Sequence, residues 1–205
     1  MDYNTLASKG AISKTVTALN ANGVGAFVVE TGAEALEKIQ ELIPKGASVM
    51  NGASRTLEQI GFIEYLKSGQ HGWNNLHEAI LAEKDPVKQA LLRKQAVLSD
   101  YYLGSVHALA ETGEFIIASN SGSQLPHIVF TSPNLIFVVS TKKIVPTLLD
   151  AMKRLLEYVV PLEDEHMRQK YGVGTTPNKI VTFNGENPRM GRKVKMILVN
   201  EDLGF

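Results

Sequence analysis

The chain has no cysteine. Disulfides, thiolate zinc sites and iron–sulfur ligation by its own residues are therefore excluded, and a reducing, cytoplasmic home is the expectation. Neither sign of charge dominates, because 21 Lys and Arg stand against 21 Asp and Glu. No net field points to nucleic acid or to a membrane surface. No apolar run approaches the ~20 residues that cross a bilayer, so no membrane span is expected. The first ten residues, MDYNTLASKG, lack the basic flank and apolar centre of a signal peptide. Three catalytic signatures are missing too: Gly-x-Ser-x-Gly, a Walker loop, and Gly-x-Gly-x-x-Gly after a strand. Nucleophilic-serine hydrolases, P-loop NTPases and Rossmann dehydrogenases all lose ground.

What is present is enough chain, 205 residues, for one domain that buries roughly 70% of its unfolded surface. Its most informative stretch runs from Ser99 to Val145. There a strand-like run breaks at Ala110-Glu111-Thr112-Gly113, and a second follows at Glu114 to Ala118. A polar, flexible turn comes next, Ser119-Asn120-Ser121-Gly122-Ser123-Gln124. Leu135 to Val139 then reads as a fully buried strand, a short β-branched run bounded by turn residues.

The flanking segments supply a scaffold. Leu6, Ile12, Val16 and Leu19 mark a helix over 5–22, with Gly23 where a C-terminal glycine belongs. Ala26 to Val29 is a strand, and Thr31-Gly32-Ala33-Glu34 is a capping box for a helix that Pro44 and Gly46 stop. Ala47 to Met50 is the next strand, so a βαβ unit joining parallel neighbours is expected. Thr56 to Gln59 could cap the helix after it. Residues 62–84 read as a half-buried loop anchored by Trp73; His71 and His77 lack a third ligand, and no metal site is expected. Asp85-Pro86 starts a helix whose buried side is Ala90, Leu91, Ala96, Val97 and Leu98. Pro146 opens a long amphipathic helix, with Leu148, Leu149, Met152, Leu155, Leu156 and Val159 on its apolar stripe, and Pro161 ends it. Residues 162–178 read as loop-rich, before strands at Lys179–Phe183 and Val194–Val199.

Chemistry could reside in three turns. Asn51-Gly52-Ala53-Ser54 follows a strand directly, where exposed backbone N–H groups and a helix start can bind an anion; a plain βα turn is the alternative. Glu111, if buried without a cation, could serve as base, acid or nucleophile; otherwise it is a solvated turn residue. Ser54 and Arg55 could share its pocket with Ser121, Gly122, Ser123 and Gln124, Arg55 pairing a carboxylate or phosphate through its planar fork. His107 and His127 flank the same stretch as possible proton carriers or hydrogen-bonded structural residues.

Asp100 to Glu114, then Ser121-Gly122 and Lys142-Lys143-Ile144-Val145, resemble the lactate-utilisation (LUD) domain family. Asn51-Gly52-Ala53-Ser54-x-Thr56 before Ile60-Gly61 matches a loop of that family, and Arg192 to Phe205 is similar to one branch's ending. The resemblance implies an α/β fold, a mostly parallel sheet flanked by helices, akin to the CoA-transferase and ribose-5-phosphate isomerase group. It adds Thr56, Gly104, Thr112, Gly113 and Lys143 to the candidate anion-binding residues. It also implies a component of a multi-subunit system oxidising L-lactate to pyruvate, binding a small carboxylate or phosphorylated ligand. Iron–sulfur clusters would belong to a partner protein and no cofactor to this chain. A free-standing transferase-like or isomerase-like enzyme using Glu111, which would need oligomerisation to supply a second domain, and a metabolite-sensing module are the alternatives. One departure stands out: Ser123-Gln124 replaces the Asn-Arg of many relatives, removing a guanidinium.

Overall fold

The computed structural model describes residues 2–205. Two sheets and their helices alternate in layers, and the order follows from which strands are apolar on both faces. The larger sheet is wholly parallel. Its strands are β1 (Val24–Val29), β2 (Ser48–Asn51), β3 (Asn74–Asn75), β4 (Tyr101–Gly104), β7 (Asn134–Ser140) and β10 (Lys193–Val199), in the spatial order β1-β10-β7-β4-β2-β3. Between β4 and β7 the chain forms part of a smaller sheet, β5 (Ala108–Ala110) and β6 (Phe115–Ser119), completed by β8 (Ile144–Val145) and β9 (Lys179–Phe183).

Side chains alternate across a strand, so each large-sheet strand feeds two cores. Leu103, Ile136, Val138, Ile197 and Val199 point to one face, where they meet α2 (Gly32–Leu42), α3 (Arg55–Gln59) and α4 (Phe62–Lys67). Tyr102, Leu135, Phe137, Val139, Met196 and Leu198 point to the other. There they meet α1 (Lys9–Ala21) and the inner face of the small sheet, Leu109, Phe115 and Ile117. The outer face of that sheet, Ala108, Ile116 and Ala118, is covered by Ala151 of α7 (Leu148–Arg154) and by Leu155 and Val159 of the turn after it.

Several local expectations hold in detail. Thr31 Oγ1 accepts from the Glu34 amide while the Glu34 carboxylate accepts from the Thr31 amide, the full capping box. Asp85 caps α6 (Pro86–Gln95), with Pro86 in the first turn. Gly23, at φ 79°, follows the Asn22 cap of α1.

Other expectations are corrected. β1 and β2 are parallel but not neighbours, since β10, β7 and β4 lie between them. Ser54, not Thr56, caps α3 by accepting from the Leu57 amide. Residues 62–84 hold two short helices, α4 and α5 (Leu76–Ala82), and the Trp73 indole donates to the Ile43 carbonyl. Within this segment His71 bonds Leu66 and Trp73, and His77 faces Asn51. Pro161 does not end the long helix, which α8 (Val160–Tyr171) carries through most of the expected loop. A proline clashes with the carbonyl four residues back, and a π-helical turn over Leu155–Val159 widens the helix there to accommodate it. The last two strands belong to different sheets.

The apolar residues of α6 are the clearest reversal. Ala96, just beyond it, is buried, but Leu91 and Leu98 are 54% and 74% exposed. The principal contacts of α6 are α5 and the 3₁₀ turn Ala96–Leu98, and both faces of the large sheet are already occupied. Leu91→Gln is therefore expected to shift stability by less than about 0.5 kcal/mol. A buried leucine at that place would cost ~2–5 kcal/mol on truncation. A urea unfolding curve separates the two.

Candidate functional site

In an open parallel sheet, ligands gather beyond the carboxyl ends of the strands, where neighbouring strands send their connections in opposite directions. Here that place lies between β2 and β4. β2 leads into α3 and α4 on one face, and β4 into the small sheet on the other. The crevice holds the turns after β2, β4 and β7.

Lys143 lies at its centre. It ends a 3₁₀ turn, Thr141–Lys143, capped by Ser140 at the end of β7. The ammonium donates to Thr56 Oγ1 at 3.1 Å, Ser105 Oγ at 3.1 Å and the Val106 carbonyl at 3.2 Å. All three partners are neutral, and the side chain's residue is only 4% exposed. Burial, and then the positive charges of Arg154 and Lys142, push its pKa down to about 7. Lys142 differs sharply, because it pairs with the Asp202 carboxylate. A carboxylate is thus at hand and is used on the neighbour.

Arg154, at the end of α7, is fully buried. Nη1 donates to the His107 carbonyl, next along the chain from the carbonyl that Lys143 engages. Nε and Nη2 are buried without a hydrogen-bond partner among the described residues. The guanidinium lies over the rings of Tyr3 and Tyr158, 5.7 and 5.2 Å from their centroids. His107 completes the group. Its Nδ1 accepts from the Ala118 amide at 3.2 Å, which holds the ring neutral. Burial, Lys143 and Arg154 lower its pKa to about 3. Two buried cationic side chains with no acidic partner make a site that favours an anion.

The chain's last residues roof this cluster. Gly204 donates from its amide to Gln59 Oε1 and takes φ 66°. A Cβ there would strike Thr56 Oγ1 and come within 2.9 Å of Lys143 Nζ, so only glycine permits the approach. Phe205 carries the Arg55 guanidinium 5.0 Å above its ring.

The sequence candidates divide. Thr56 and Lys143 touch each other, and Gly104 immediately precedes Ser105. Gly52 and Gln124 also meet: the Tyr102 hydroxyl donates to Gln124 Oε1, and a Cβ on Gly52 would collide with that hydroxyl. Asn51 is buried against His77, Ser54 serves as a helix cap, and Arg55 is exposed and stacked on Phe205. Ser121 and Ser123 bond one another in an exposed loop around Gly122. Glu111 does not share their pocket. The turn between β5 and β6 turns it toward α1, where it pairs with Lys14 at 3.0 Å in an open surface groove with Thr112. Gly113, at φ 95°, makes that turn against Ala18 and Asn22. Ser105 and Arg154 were not foreseen. Arg154 carries no distinguishing sequence signal, since it follows Lys153 and falls off the apolar stripe of its helix.

His127 lies apart from Lys143. It stacks on Tyr102 with ring centroids 4.6 Å apart, and its Nδ1 is within 3.3 Å of Ser99 Oγ and 3.1 Å of Ser132 Oγ. Burial lowers its pKa to about 4. No group of three His, Asp or Glu among the described residues is placed to hold a metal ion, and no described helix is long and apolar enough to cross a membrane.

These features define an α/β protein with a buried cationic group, Lys143 and Arg154, near the carboxyl edge of a parallel sheet. The LUD domain family model matches residues 12–197, and the chain belongs to that family. It is a lactate-utilisation-related domain. The crystal structure of a DUF162 family protein from Deinococcus radiodurans is similar, with TM-score 0.59 and 12% sequence identity. The match covers 96% of this chain and 100% of that one, and it shows the shared fold. No curated protein matches the chain.

Proposed function

We propose that this chain binds a small carboxylate at Lys143 and serves as a component of L-lactate oxidation to pyruvate. The observation that carries the reading is the set of partners around Lys143: two hydroxyls and a carbonyl, no acidic group, and a second buried cation in Arg154. A carboxylate entering the crevice would supply the missing negative charge and accept hydrogen bonds from the unpartnered Nε and Nη2 of Arg154. Family membership supports lactate or pyruvate as the carboxylate. Electrons from lactate would pass to another subunit, an iron–sulfur protein in this proposal, since the chain offers no thiolate for a cluster. Glu111, paired with Lys14 away from the crevice, gives no support to a Glu111-centred enzyme.

Thermal unfolding against lactate, pyruvate, inorganic phosphate and acetyl-coenzyme A tests the reading. A carboxylate at 100 times its Kd is expected to add about 2.7 kcal/mol. Binding that uses the charged amine should weaken as pH rises through about 7, by up to ~10-fold per pH unit. Lys143→Met should abolish the response. A pH-independent response, or one that Lys143→Met retains, would sink the proposal.

A further inference from the structure

We propose that Lys143 is a nucleophile that forms an imine with a 2-oxo acid bound in the crevice. The inference rests on the carboxylate-binding reading above and adds a covalent step to it.

The amine's surroundings suit both of its protonation forms. As an ammonium it donates to Thr56 Oγ1, Ser105 Oγ and the Val106 carbonyl. As a neutral amine it can donate to the carbonyl and one hydroxyl and accept from the other, because a hydroxyl is both donor and acceptor. A carboxylate partner would instead favour the charged form strongly. Asp202 provides one to Lys142, one residue earlier, and not to Lys143. Burial and the Arg154 charge further favour the neutral amine near pH 7, the condition that turns a lysine into a carbonyl nucleophile.

The substrate class follows from the second cation. In a 2-oxo acid the carboxylate is bonded directly to the carbonyl carbon. Lys143 and Arg154 are anchored on successive carbonyls, Val106 and His107, and Arg154 retains two buried, unpartnered donors for a planar anion. Arg154 would hold the carboxylate while Lys143 meets the carbonyl.

The step balances without oxidant or reductant. The Nζ lone pair forms a C–N bond to the carbonyl carbon, and the carbonyl π pair moves to oxygen. A proton passes from Nζ to that oxygen through the Thr56 or Ser105 hydroxyl, giving a carbinolamine. The C–O bond then breaks with uptake of a second proton at oxygen, one water leaves, and a C=N bond remains. Roofing of the site by Gly204 would keep bulk water from reversing the step.

The test is reductive trapping. The intact protein is incubated with pyruvate and sodium cyanoborohydride at pH 7.5, and the modified residue is mapped by peptide mass spectrometry. A single adduct on Lys143 is expected, formed on the order of a hundredfold faster than on surface lysines, whose neutral fraction is far smaller. Lys142→Arg should retain the adduct, and Lys143→Arg, which preserves the positive charge, should lose it. Pyruvate raising Tm with no adduct on Lys143 would overturn the imine and leave carboxylate binding standing. Neither a Tm shift nor an adduct would overturn both. Propanal trapped on Lys143 as efficiently as pyruvate would overturn the 2-oxo acid assignment, as would labelling spread evenly over the surface lysines.

Discussion

Replacing Arg154 by methionine is expected to make the protein more stable and a poorer binder of small carboxylates. Arg154 is fully buried, makes one hydrogen bond to a carbonyl, and leaves Nε and Nη2 unpaired. An uncompensated buried charge costs several kcal/mol, and well-packed apolar replacements of buried ions are commonly stabilising by ~1–4 kcal/mol. Stacking on Tyr3 and Tyr158 offsets part of that cost, by about 1–2 kcal/mol. Methionine reaches into the same layer as Ala151 and Leu155 and has the flexibility to fill it. The net expectation is a gain of about 1–3 kcal/mol, which for a chain of this size raises Tm by roughly 3–10 °C. Carboxylate affinity should fall at least ~10-fold, the worth of one charge-assisted hydrogen bond. With the Arg154 charge gone, the Lys143 pKa should also rise, carrying the pH dependence of binding upward. Calorimetry of the variant with and without pyruvate checks all three effects. A lower Tm would show that Arg154 is a structural group satisfied by its tyrosines, and the anion site would lose its second cation. The expected pattern, stability gained as function is lost, is what a site built ahead of its ligand produces.

The parts of this arrangement that were legible in the sequence are those decided locally. The capping box at Thr31, the Asp85-Pro86 start and the buried run Leu135–Val139 depend on neighbours a few residues away, and each forms as expected. Strand order does not depend on neighbours. β1 and β2 are separated by strands that begin more than fifty residues later, and nothing in the intervening helix reports that. The same holds for α6. Its apolar periodicity is real, yet the surfaces that would cover it are filled by α1 to α4 and the small sheet. Lys143 and Thr56 were reached through a family resemblance, 87 residues apart, and their contact appears only in the fold. Glu111 drew attention as a lone carboxylate in an apolar bend. Its partner, Lys14, lies 97 residues away, and local reading offered no means to assign it. Arg154 was hidden for the opposite reason: a charged residue in an amphipathic helix is ordinarily solvated, and only the π-helical turn and the layer beneath reveal this one as interior.

Stability is expected to fall steeply between pH 6.5 and 4.5, driven chiefly by the two histidines with the largest downward shifts, His127 and His107. The folded-state pKa of His127 is depressed to about 4 and that of His107 to about 3, both chiefly by burial. Unfolded, each titrates near 6.5. Between those limits the unfolded chain binds protons that the folded chain refuses, so stability rises with pH across the window and is lost as pH falls through it. Each histidine contributes a slope of up to ~1.4 kcal/mol per pH unit. Allowing for partial solvent access, the pair should cost roughly 4 kcal/mol by pH 4.5, a large share of the 5–15 kcal/mol that holds a typical domain. Protonating His107 would also convert Nδ1 from acceptor to donor and break its bond from the Ala118 amide. Lys143 adds nothing in this window, because below pH 7 it is protonated in both states; its influence lies above 7, where stability should climb as the unfolded amine alone stays charged. Asp100 and Asp164, whose pKa values are lowered by hydrogen bonds, act below the window rather than within it. Urea unfolding at half-unit steps from pH 7 to 4 should therefore show a slope that His127→Gln cuts by about half and that His127→Gln with His107→Gln reduces to the smaller contribution of His77, whose pKa burial and the Arg93 charge also lower. A flat profile from 6.5 to 5 would mean that both rings admit a proton in the folded protein, and the buried cationic group around Lys143 would then have to carry a third charge.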